Sequence, residues 1–190
     1  MGSSPIARAY ENTHTTYGCF QSGKGTFELV YSFLMNESYE KVPQVAFVQP
    51  NIEAEKGEIE RVASVFATDN PEAFVSDFLE RAQSATLEPL AEGDWQKLEN
   101  TDSFDISVGD WSAIEYHAVG RNPDAPRDWE ALRVRAQNGE ALDAPIVAEV
   151  DGILYLVSGN TRLMVSRAMG VTPMVLIVKM GEIQDSSSES

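Results

Sequence analysis

The stretch Ser158-Gly159-Asn160-Thr161-Arg162 constrains this chain more tightly than any other. It joins an apolar run, Ile153 to Val157, which reads as a strand, to a segment that reads as a helix as far as about Met169. A glycine at such a join lets the backbone come close to a ligand. The start of a helix leaves its first N–H groups without carbonyl partners, and that end of the helix favours an anion. Arg162, one turn in, adds a planar fork suited to phosphate. The pattern predicts a phosphate- or carboxylate-binding site at Ser158, Gly159, Asn160, Thr161 and Arg162.

The elements around that join are well signalled. Asn122, Pro123, Pro126 and Arg127 form a turn, and a helix follows with Trp129, Leu132 and Ala136 inward and Gly139 as its stop. Pro145 to Val150 reads as a strand, and Asp151-Gly152 is a two-residue hairpin turn into Ile153. The helix from Asn160 stops at Gly170, and Met174 to Val178 is one more strand after Pro173. Leu163, Met164, Val165, Ala168 and Met169 read as core.

Taken in order, Asn122-Pro123, Pro126-Arg127, the helix to Gly139, Pro145-Ile146-Val147, Tyr155, Gly159-Asn160-Thr161-Arg162, Gly170 and Pro173 resemble the ParB/sulfiredoxin-like domain family over residues 114–178. The resemblance implies nucleoside triphosphate binding, ATP or CTP with Mg2+, and in some relatives hydrolysis or phosphoryl transfer. It places Gly159 and Arg162 in the Gly-x-x-Arg frame and makes Arg127 a second phosphate contact. Asn160 and Thr161 stand where sulfiredoxins carry a cysteine and then a histidine, so sulfinic acid reduction is not expected. ParB proteins have glutamate and arginine at those positions, free-serine kinases have histidines, and no helix-turn-helix follows the last strand. A chromosome-partition role is therefore not implied.

The preceding part is acidic and reads as mostly helical. Phe27, Leu29, Tyr31 and Phe33 fit a strand, and a helix from Thr26 fits as well. Val45 to Val48 reads as a short buried strand ended by Pro50. Ile52, Ile59, Val62, Ala63 and Phe66 give helical spacing, with Gly57 a weak point. Asn70 caps a further helix that has Pro71 at its first position, Glu72 where the dipole favours an acid, and a stripe of Phe74, Val75, Phe78, Leu79 and Ala82. Glu88 to Asp110 is turn-rich, holds Trp95 and Phe104, and marks a boundary. The expected organisation is an α/β (α+β) protein: an acidic, mostly helical region 1–110, a ParB/sulfiredoxin-like domain 111–180, and a disordered acidic tail 181–190.

Charge sorts the possible partners. The net charge is -16, and residues 49–110 hold 15 acids against 4 bases. Between 145 and 180 only Glu149 and Asp151 face Arg162, Arg167 and Lys179, so the anion site lies where negative charge does not dominate. With no basic stripe, direct duplex DNA binding is not expected. The acidic block suggests an alternative, a DNA mimic or interaction surface for a basic protein partner, and a nuclease is a third reading. Asp102, Asp105 and Asp110 are carboxylates that could hold magnesium if the chain brought them together. Cys19 is the only cysteine, and His14 and His117 are far apart, which argues against cysteine- or histidine-built metal sites. Gly18 to Thr26 resembles a P-loop, but Glu11 to Tyr17 is not the buried strand a P-loop follows. No long apolar span or leader pattern occurs, so no membrane role and a cytoplasmic location are expected.

Overall fold

The computed structural model describes residues 45–67, 69–121 and 123–181. The Gly18–Thr26 and Phe27–Leu34 readings, and the tail from 182, lie outside these residues. The described residues fold as a mixture of helix and strand.

The central sheet has four strands: β2 (Leu87–Pro89), β4 (Ile146–Val150), β5 (Ile153–Ser158) and β6 (Met174–Lys179), in the order β2-β6-β4-β5. β4 and β5 form an antiparallel hairpin, β6 runs parallel to β4, and β2 lies antiparallel on β6. The hairpin turns on Asp151 (φ 52°) and Gly152 (φ 77°), the positive pair that a tight two-residue turn demands. A small separate pair, β1 (Phe47–Val48) on β3 (Leu142–Asp143), is parallel.

Both faces of the sheet are covered, and strand alternation assigns the residues. Ile146, Ala148, Val150, Val157, Leu176 and Val178 face α1 (Lys56–Phe66) and α2 (Pro71–Ala82), whose buried stripes are Ile59, Val62, Ala63 and Phe74, Phe78, Ala82. Val147, Leu156 and Val175 pack with Leu163 of α6 (Asn160–Ala168) and with Leu90, Trp95 and Leu98 around the short α3 (Glu92–Trp95). Fully burying a side chain such as Phe78 or Leu163 stabilises by about 2 kcal/mol each. Beyond α6 lie α4 (Trp111–Glu115), which continues as a π-helical turn Tyr116–Gly120, and α5 (Trp129–Gln137), where Trp111 and Trp129 stack at 6.1 Å.

The Asn70 cap is the one the sequence indicates, and the structure adds a second at Asp128. Asn70 accepts from the Ala73 N–H (3.2 Å), and Asp128, beside Arg127, accepts from the Ala131 N–H (3.0 Å). Two expectations need correcting. The Val45–Val48 strand is only Phe47–Val48, and it is half-exposed (Val48 45%) because it pairs with β3 outside the main sheet. Secondly, Glu88–Asp110 is not simply connecting chain: β2 begins at Leu87, and Glu99 pairs with Tyr155 along the free edge of β5. Elements from both sides of residue 110 therefore build one sheet and its two covering layers. Among the described residues no helix is long and apolar enough to cross a membrane.

Candidate functional site

At the end of β5 the chain enters α6 through Gly159, which holds φ at 101°. No side chain caps the helix, and Gly159 O accepts only from the Leu163 N–H (3.0 Å). The N–H groups of Asn160, Thr161 and Arg162 have no acceptor among the described residues, as helix geometry requires at an uncapped start. They open into a cleft of about 700 Å³, within the size range of small-ligand sites. All six residues expected from the sequence line it: Ser158, Gly159, Asn160, Thr161, Arg162 and Arg127.

Their roles within the cleft differ. Arg162 is turned toward protein: Nη1 donates to the carbonyls of Asp143 (3.0 Å) and Ala144 (3.3 Å), and Nη2 donates to Glu55 Oε1 (3.0 Å) and Ser158 Oγ (3.0 Å). It ties the turn before α1 to the β3–β4 link and to the end of β5. Asn160 ties the other wall. Its Oδ1 accepts from Thr101 Oγ1 (2.8 Å) and from the Asp102 N–H (3.1 Å), while Nδ2 donates to Asp102 Oδ2 (3.1 Å). An amide oxygen has no proton, so Thr101 must be the donor in that contact. Thr161 and Arg127 are the polar side chains of the cleft that have no partner at all among the described residues.

Five further residues complete the lining's charge. Glu58 holds Arg61 (2.9 Å) and Asp102 holds Arg121 (2.7 Å), both pairs well exposed, while Glu55 pairs with the largely buried Arg162. Each carboxylate in the cleft thus carries its own arginine, and Arg127 is the cation left over. Arg61 and Arg121 were not legible as site residues. Arg61 follows Glu58 by three positions, which signals an ordinary helix-surface pair. Nothing near Arg121 marks it.

The carboxylates considered for magnesium do not converge. Asp102 alone lines the cleft, Asp105 is exposed, and Asp110 caps α4 through the Ala113 N–H (3.0 Å). Among the described residues no three His, Cys, Asp or Glu side chains gather as a metal cluster. In this arrangement each of the cleft's own carboxylates, Glu55, Glu58 and Asp102, is paired with an arginine.

Folding lowers the pKa of two carboxyls outside the cleft. The Ser112 hydroxyl, and then the Ala113 N–H, hold Asp110 below the usual aspartate range; Arg167, and then Gln96, do the same for Glu92. A pKa depressed by folding means that the stabilisation is present above the unfolded-state value and is lost as pH falls through the native one. Melting temperature is therefore expected to fall below about pH 4. Asp110→Asn, which keeps the cap but cannot titrate, should flatten that fall. An unchanged acid profile in Asp110→Asn would remove Asp110 from the account.

Comparison with protein-family models, with curated proteins and with solved structures gives no match to this chain.

Proposed function

We propose that the cleft at the start of α6 binds a phosphate-bearing ligand of the nucleoside triphosphate class, ATP or CTP. One observation carries this reading: the groups there with no protein partner among the described residues all suit an anion. They are the N–H groups of Asn160, Thr161 and Arg162, the Thr161 hydroxyl and the Arg127 guanidinium. The ordered resemblance to ParB/sulfiredoxin-like domains points the same way. In this reading Arg162 shapes the cleft and Arg127 meets the phosphates. Helix-start N–H groups and an arginine are also what phosphoryl transfer needs to stabilise charge. Magnesium enters only as the counter-ion a nucleotide brings with it.

Calorimetric titration with ATP and with CTP, each with and without magnesium, tests the proposal. Arg127→Ala should weaken binding about tenfold, the worth of one charge-assisted contact, while leaving the melting temperature unchanged. Absence of binding by the unaltered chain, or unchanged affinity in Arg127→Ala, would overturn it.

A second reading rests on exposure of the acids Glu53, Glu60, Glu72 and Glu80, which suits a basic protein partner. Its sign would be salt-sensitive association that ignores Arg127→Ala.

A further inference from the structure

The rest of the cleft's lining indicates which part of such a ligand is gripped, an inference that rests on the phosphate reading above. Among the described residues lining the cleft, none is aromatic. Proteins hold a nucleobase by stacking it on a flat side chain or by hydrogen bonds to its edge. Apart from the Thr161 hydroxyl at the start of α6, each uncharged polar side chain that could read an edge already makes a hydrogen bond within the protein. Asn100 Nδ2 donates to Leu156 O (2.8 Å), Thr101 to Asn160 (2.8 Å), Asn160 to Asp102 (3.1 Å), and Ser158 Oγ accepts from Arg162 (3.0 Å).

What the cleft has in reserve is positive charge. Arg61 and Arg121 are held by Glu58 and Asp102, carboxylates that are 50% and 36% exposed. Ion pairs this open to water are weak and exchange readily with a competing anion. The Arg162–Glu55 pair is different: its side chains are 13% and 24% exposed, and three more hydrogen bonds fix the guanidinium. A chain of phosphates can therefore take Arg61 and Arg121 in addition to Arg127 and leave Arg162 where it is.

We propose that the cleft recognises a polyphosphate chain and not a base. Inorganic tripolyphosphate and nucleoside triphosphates of any base are then ligands of one class, and Glu58 and Asp102 are displaceable stand-ins for phosphate oxygens. Calorimetric titrations of the full chain with sodium tripolyphosphate, ATP, CTP and GTP at one ionic strength decide the matter. The expected affinities agree within about threefold. Glu58→Gln and Asp102→Asn each tighten tripolyphosphate binding by about threefold, because an arginine is released to the ligand. Glu58 lies on the exposed side of α1, so its variant reads the exchange without disturbing the core.

One nucleotide binding more than about tenfold tighter than tripolyphosphate would overturn base indifference while leaving the phosphate site standing. Weaker binding in Glu58→Gln would overturn the displacement. If none of the four compounds binds, both this inference and the phosphate reading fall.

Discussion

Gly159→Ala is expected to destabilise the fold by about 3 kcal/mol and to distort the start of α6 with it. The backbone at this position has φ 101°, where an L side chain is strained whatever the space around it. Space is also lacking. A methyl group would sit 2.8 Å from both Cα and Cβ of Pro145 and 3.1 Å from Arg162 Nε. Pro145 is main chain at the entrance to β4, and its carbonyl accepts from the Leu176 N–H (2.9 Å), so it cannot retreat without loosening β6. The positive φ contributes about 1–2 kcal/mol and the overlap about 1–3 kcal/mol. Urea denaturation measures the sum. A loss below about 1 kcal/mol would mean that the strand–helix join relaxes and that glycine is not required there.

Arg162→Ala should destabilise by a similar amount, about 2–3 kcal/mol, for a different reason. The substitution strips partners from two main-chain carbonyls and from Ser158, and leaves Glu55 as a carboxylate three-quarters withdrawn from water. Removing one member of a buried pair is the expensive way to break it, because the other member stays behind unpaired. Glu55→Gln in the Arg162→Ala background should therefore restore part of the loss. Arg162→Lys should not, since one ammonium cannot span acceptors on three elements. If Arg162→Ala lost less than about 1 kcal/mol while phosphate affinity fell about a hundredfold, Arg162 would belong to the ligand and not to the fold.

Arg162 also shows where the sequence stops being informative. The Gly-x-x-Arg spacing identified the join correctly, because a strand, a glycine and a helix start are local events written in adjacent residues. The same is true of Asn70-Pro71, Asp151-Gly152 and the stop at Gly139. What Arg162 touches is not local. Glu55 lies 107 positions away and Asp143 lies 19 away, and no spacing rule connects them. Strand β2 was hidden for a related reason. Leu87-Glu88-Pro89 is three residues long and contains a proline, which reads as loop, yet an edge strand tolerates a proline because one side of it needs no ladder. The loop carrying Thr101 and Asp102 gave no pattern at all. It acquires meaning only when β5 has brought Asn160 beside it.

The strand order carries a consequence for how the chain comes to be folded during synthesis. β6 is the last strand of the described residues to be made, yet it lies inside the sheet, between β2 and β4. The β4–β5 hairpin can close as soon as it emerges, since its partners are neighbours in the chain. β2, made long before, has no strand to join until residues 174–179 arrive. On a ribosome, then, the helical layer can settle on the β4–β5 hairpin first, while β2 and the Leu176 and Val178 side of the core wait for β6, and completion of the sheet is a late event within this region.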